Sequence, residues 1–250
     1  PDEPSRVQHF TQRLQEGREG TFEQALVTRS GRRLTVIVTD APRLDAHGQL
    51  QEVILTLTDI SDQKAAEERI RFLATHDPLT GLANRTNFME RMSDSLLMAQ
   101  RHHTRLALLY LDLDHFKEVN DTLGHAAGDL LLIEAARRMR SSLRASDMLA
   151  RQGGDEFMAL LHDIGTLDEA LGVAEKIRRA INTAYLIDGR ECRVSVSIGI
   201  ALYPDHGLDP DSLARQADAA MYQAKSIGRN SSAPASTPPP SGGPPPGKPA

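Results

Sequence analysis

The stretch Arg151-Gln152-Gly153-Gly154-Asp155-Glu156-Phe157 constrains the fold more than any other part of this chain. Apolar runs flank it, Met148-Leu149-Ala150 before and Phe157-Met158-Ala159-Leu160-Leu161 after. Two such runs around a Gly-Gly pair read as a β-hairpin, because glycine takes the positive φ of a tight turn at no steric cost. Two carboxylates, Asp155 and Glu156, follow the turn at once. Acids are poor strand formers, so a hairpin tip carrying two of them is explained better by a bound cation than by folding. A second acidic pair, Asp112 and Asp114, ends the apolar run Leu106-Ala107-Leu108-Leu109-Tyr110-Leu111. Where two such strand ends meet they make a Mg²⁺ site, since Mg²⁺ takes a few carboxylates and leaves places open for phosphate oxygens.

Helices and strands alternate around the hairpin from 76 to 230. The apolar spacing predicts helices over 87–100, 128–143, 167–184 and 211–226, the last preceded by Pro210, and strands over 105–111 and 192–202. That is one α/β (α+β) domain in which helices cover a largely antiparallel sheet. Residues 1–60 read as mostly β, with strands over 21–30, 34–39 and 50–60 and turns at Ser30-Gly31 and 45–48. Three strands without further partners close a core poorly. Residues 61–75 form a linker helix rich in Ala, Glu, Lys and Arg, with Ile70 and Leu73 at i, i+3 and Ala66 one turn earlier. It is either a solvated connection or a short coiled coil that joins two protomers. Residues 231–250 hold eight of the 14 prolines and read as a disordered or extended linker, with no final strand.

Composition narrows the function. A net charge of −5 gives no basis for nucleic-acid binding. No apolar run approaches the ~18 residues of a membrane span. The single cysteine, Cys192, excludes an intrachain disulfide and fits a reducing, cytoplasmic setting; in a strand it reads as a small sheet residue rather than a nucleophile. The chain opens Pro1-Asp2-Glu3 without an initiator Met, which points to a piece of a longer protein.

The hairpin resembles the signature of the GGDEF diguanylate cyclases, which condense two GTP into cyclic di-GMP. The resemblance runs in family order through His76-Asp77-Pro78-Leu79-Thr80-Gly81-Leu82-Ala83-Asn84-Arg85, Asp112-Leu113-Asp114-His115-Phe116-Lys117, Gly124-His125-Ala126-Ala127-Gly128-Asp129, Ser197-Ile198-Gly199 and the stretch from Ala217 to Asn230. It implies a palm-like sheet related to nucleotidyl cyclases and polymerases. Residues 1–60 are similar to the C-terminal part of a PAS sensor domain.

The resemblance also implies roles. Asp112, the Leu113 carbonyl, Asp155 and Glu156 match the family's ligands for Mg²⁺ or Mn²⁺, and Asp155 is the candidate that activates the attacking hydroxyl. His115, Phe116, Lys117, Lys225 and Arg229 match triphosphate contacts, and Asn120 and Asp129 match contacts to the guanine edge. Arg144 and Asp147 match the RxxD site that binds the product as inhibitor. Each also has an ordinary structural reading: a helix-end cation for Lys225 or Arg229, an Asx turn for Asn120, a helix N-terminal acid for Asp129, and a helix-end Arg144 paired with Asp147. His102 and His103 read as solvated turn residues. Gln152 departs from the family, which usually places an aromatic or aliphatic residue before the two glycines. A cyclase of this kind works as a homodimer. The competing readings are a receptor that binds GTP or cyclic di-GMP without catalysis, another nucleotidyl cyclase on the same sheet, and a scaffold that only dimerises.

Overall fold

A computed structural model describes residues 11–236. The chain divides into two compact units, 1–71 and 72–250.

In the first unit three antiparallel strands follow one another in space as in sequence: β1 (Gly20–Val27), β2 (Arg33–Leu44) and β3 (Leu50–Asp59). Asp45 shapes the second turn by accepting from the backbone N–H of His47 and of Gln49, both at 2.8 Å. Val36, Val38, Leu14 and Ile60 are buried, together with Asp40, whose carboxylate pairs with Arg13 at 2.5 Å. Ile54, Leu55 and Leu57 remain more than half exposed on β3, as three strands without further partners must leave them. Helix α1 (Ser61–Thr75) follows and buries no residue.

The second unit contains α2 (Arg85–His102), β4 (Leu106–Asp114), α3 (Phe116–Leu123), α4 (His125–Ser142), β5 (Met148–Gly153), β6 (Glu156–Leu161), α5 (Leu167–Ile181), β7 (Tyr185–Ile187), β8 (Arg190–Cys192), β9 (Ser195–Tyr203), α6 (Pro210–Ile227) and β10 (Ser232–Pro234). Five strands form one sheet in the order β10-β9-β4-β6-β5, antiparallel except for the β10–β9 pair. Every residue of the central strand β4 is buried. Ala107, Leu109, Leu111 and Leu113 pack with residues of α4 and α5, whereas Leu106, Leu108 and Tyr110 pack with residues of α2 and α6. A strand covered on both faces has no polar side to show, which is why it reads as a continuous apolar run. Helix α6 lies hard against β9: a Cβ at Gly199 would stand 1.9 Å from the Ala217 carbonyl oxygen, so the approach depends on glycine.

Three elements differ from the sequence expectation. Residues 116–123, for which no element was expected, form a helix. The strand expected over 192–202 is broken, with 190–192 pairing back on 185–187 as a separate hairpin. A final strand is present where none was expected. Ser232, Ala233 and Pro234 pair with Ile198, Gly199 and Ile200, and Ala235 donates its N–H to the Ile200 carbonyl at 2.7 Å. Pro234 is tolerated because this is the sheet's edge, where one side of the strand needs no ladder donor. The rest of the Pro-rich linker expected over 231–250 lies outside the described residues.

Candidate functional site

The two acidic strand ends meet. Asp112 of β4 stands opposite Glu156 of β6, and the Leu113 N–H donates to the Asp155 carbonyl at 3.2 Å. Gly153 pairs with Glu156, so the turn itself is Gly154-Asp155; φ is 151° at Gly153 and 52° at Gly154. Arg151 braces this turn. Its Nε and Nη2 donate to the Gly154 carbonyl at 2.9 and 2.7 Å, and its Nη1 lies 3.1 Å from each carboxylate oxygen of Asp77. Asp77 also accepts from the Thr80 N–H and hydroxyl, at 2.8 and 2.6 Å. Burial works to raise the Asp77 pKa, but the Thr80 donors and the Arg151 guanidinium outweigh it and hold the carboxyl below its ordinary range.

Asp112 is 6% exposed, and Lys225 from the end of α6 sits 2.7 Å from its Oδ2. Burial pushes the Asp112 pKa up to about 6; Lys225 opposes the shift, and the like charges of Asp155 and Glu156 reinforce it. Lys225 faces the charges of Asp112, Asp155 and Glu156 together, which favours a further cation beside them. Glu156 takes a hydrogen bond at 2.9 Å from the Tyr110 hydroxyl, whose own pKa is raised by burial and by the Glu156 carboxylate, so it stays a donor. Asp114 is 2% exposed and accepts from Ser195 Oγ, Ser197 Oγ and the Asn230 N–H at 2.6, 2.7 and 3.0 Å.

His115 caps α3 in the left-handed region, with φ 62° and its Nδ1 2.6 Å from Glu118 Oε1. The first N–H groups of α3 have no partner within the helix and favour an anion. They border a cleft of about 350 Å³ lined by Asp112, Leu113, His115, Phe116, Lys117, Asp155, Lys225 and Arg229. Asp114, the second acid of the pair at the end of β4, lines it as well, together with Glu118 and Asp121, to which the sequence gives no role. Among the described residues no three His, Cys, Asp or Glu side chains converge closely enough to enclose a metal ion. Asp112, Leu113 and Asp155 border one cleft with the basic residues Lys117, Lys225 and Arg229. That donor set suits Mg²⁺, which takes one or two carboxylates and completes its shell with phosphate and water.

The other expected residues lie apart from this cleft. Asn120 on α3 reaches toward α4, where its Oδ1 would stand 1.9 Å from a Cβ at Gly128, the neighbour of exposed Asp129. Arg144 and Asp147 precede β5, whereas the turn follows it, a separation of ~20 Å along six residues. Asp147 accepts from the Arg144 backbone N–H at 3.0 Å, not from its guanidinium, which among the described residues forms no ion pair. Arg140, which the sequence did not single out, holds the loop by donating to the Asp147 and Arg144 carbonyls at 2.6 and 2.9 Å. Gln152 turns its Oε1 into the interior without a partner.

The GGDEF family model, described as the diguanylate cyclase GGDEF domain, matches residues 74–231. The bifunctional diguanylate cyclase/cyclic di-GMP phosphodiesterase MucR of Pseudomonas aeruginosa is 49% identical over 158 residues, 63% of this chain and 23% of that protein. Diguanylate cyclase TpbB of the same organism is 43% identical over 75% of this chain and 42% of its own length. The chain thus spans less than half of these relatives. The solved GGDEF domain of TpbB superposes with a TM-score of 0.64 at 45% identity, covering 65% of this chain and 95% of that one. With that family model matched over 74–231 and the solved TpbB domain superposing at 45% identity, the chain belongs to the GGDEF family of diguanylate cyclase domains.

Proposed function

We propose that residues 76–230 condense two GTP into cyclic di-GMP with release of pyrophosphate. The observation that carries this reading is the register that sets Asp112 against the Asp155-Glu156 hairpin, with Lys225 and Arg229 lining the same cleft. In each of two steps a 3′-oxygen attacks an α-phosphorus, the bond to pyrophosphate breaks and the hydroxyl proton leaves. Asp155 sits at the turn where it takes that proton. Lys117, Lys225, Arg229 and the α3 amides neutralise the triphosphate. Asn120 and Asp129 accept from the guanine N1–H and 2-amino group. Mg²⁺ or Mn²⁺, held by Asp112, the Leu113 carbonyl, Asp155 and Glu156, supplies the charge that lets carboxylates and phosphates share the site. One cleft holds one GTP, so two protomers must face each other. Product returns to Arg144 and Asp147 as inhibitor. A GGDEF protein of Caulobacter crescentus, DgcB, 29% identical over 70% of this chain with a TM-score of 0.63, has been solved with c-di-GMP bound. Residues 1–60 act as the C-terminal part of a PAS-like sensor in a cytoplasmic protein; among the described residues no helix is long and apolar enough to cross a membrane.

A receptor without catalysis is the second reading. It is favoured by the unpartnered Gln152 amide beside the hairpin and by Lys225 closed on Asp112. GTP turnover with Mg²⁺, with products separated by chromatography, decides between them. Cyclic di-GMP from the parent and none from Asp155→Ala supports the cyclase; nucleotide binding without product from the parent supports the receptor.

A further inference from the structure

We infer that Asp114 is a positioning residue: it holds the turn at 228–231 in the shape that presents Arg229 to the triphosphate. The role given to Arg229 rests on that part of the proposed function in which the cleft binds GTP; the pinning of the turn does not.

Asp112 and Asp114 occupy the same face of β4, yet they meet different partners. Asp112 pairs with Lys225, before the end of α6, and Asp114 accepts the N–H of Asn230, just beyond it. Both oxygens of Asp114 are already engaged: Oδ1 by Ser197, Oδ2 by Ser195 and Asn230. At 2% exposure it has little surface left for an ion.

The turn it holds is an unusual one. Arg229 and Asn230 both lie in the left-handed region, with φ of 61° and 46°. Asparagine tolerates that conformation, but arginine rarely adopts it without outside support. Asp114 holds the second residue by its N–H, and Arg178 Nη1 holds the same residue's Oδ1 at 2.9 Å. The next carbonyl, of Ser231, accepts the Ile198 N–H at 2.9 Å. Asn230 is thus anchored on both sides, and the direction of Arg229 follows from it.

The test uses the whole chain. Affinity for Mg-GTP by calorimetry, amide hydrogen exchange at 229–231 and thermal unfolding are compared for Asp114→Ala, Asp114→Asn, Asp112→Asn and Arg229→Ala. Losing a hydrogen bond to a charged group predicts roughly tenfold weaker GTP binding in Asp114→Ala. Exchange at Asn230 rises with it. In the Arg229→Ala background the same change adds no further loss, a result that a general folding defect does not produce. Asp114→Asn keeps one oxygen on the Asn230 N–H and turns its amide toward Ser197, so it restores most of the affinity, whereas Asp112→Asn does not. Equal losses in the two Asn variants make Asp114 a cation ligand and overturn the inference. So does full additivity with Arg229→Ala. A parent that binds Mg-GTP but yields no cyclic di-GMP ends the cyclase reading and leaves this one standing; a parent without affinity for Mg-GTP ends the cyclase reading and the role of Arg229, so that the inference as stated fails.

Discussion

Arg151 braces the hairpin turn through the Gly154 carbonyl and is itself held by Asp77, and removing that partner has a calculable effect. The Asp77 and Arg151 side chains are 17% and 11% exposed, and the pair meets through one guanidinium nitrogen shared between two carboxylate oxygens. Breaking a fully buried pair costs about 3–5 kcal/mol, while an exposed one is worth under about 1 kcal/mol. Burial here lies nearer the first case, but Arg151 keeps its two bonds to Gly154 when Asp77 is lost. The expected cost of Asp77→Ala is therefore about 2 kcal/mol, and that of Arg151→Ala about 3 kcal/mol because it also frees the turn carbonyl. Urea denaturation of both variants and of the double variant, with slopes compared to confirm a common transition, gives a coupling energy of about 1.5 kcal/mol. The pH profile gives the sign. The folded-state pKa of Asp77 is depressed, so its contribution is present above the unfolded value near about 3.9 and is lost as pH falls through the lower folded value. Asp77→Ala lacks that acid-sensitive increment. Additive single variants, or an unchanged acid profile, would refute the clamp.

Three other outcomes follow from the same geometry. Gly199→Ala must push α6 off β9, since its Cβ meets backbone atoms of Ala217 and Met221 at 1.9 and 2.2 Å; thermal unfolding should show a loss of about 1–3 kcal/mol together with a higher KM for GTP. Gln152→Leu removes a buried acceptor that has no donor and should stabilise the chain by about 1 kcal/mol in the same melt. Arg144→Ala leaves the fold of its loop intact, because Asp147 holds that residue by its backbone, and should relieve inhibition by added cyclic di-GMP in a turnover assay without changing the initial rate.

The central strand, the hairpin and the meeting of Asp112 with Asp155 were legible because each is a local pattern: an apolar run, a Gly-Gly pair, an acid at a strand end. Helix α3 was not among the expected elements although Phe116 and Val119 stand at i, i+3 on its buried side; the polar run around them masked a short period. The Asp77–Arg151 clamp spans 74 positions, and no spacing rule links residues so far apart. β10 carries no strand alternation in Ser-Ala-Pro and exists only because the edge of β9 offers it a partner. A side-chain pair of Arg144 with Asp147 was the ordinary structural alternative to the RxxD reading, but the loop satisfies Asp147 with a main-chain donor, a choice set by backbone geometry rather than by residue type.

The pairing of β4 with β9 also orders events in time. Leu106 pairs with Tyr203, and Asp114 with Ser195, so the strand that carries the first acids finds its central neighbour only after most of the domain has been made. During synthesis Asp112, Asp155 and Glu156 emerge before Lys225, Arg229 and Asn230 exist. Closing so long a loop costs entropy that no local contact repays, and it is a slow step. Until residues 225–231 have left the ribosome, the cleft has its acids and Lys117 but lacks Lys225, Arg229 and the turn that Asp114 holds.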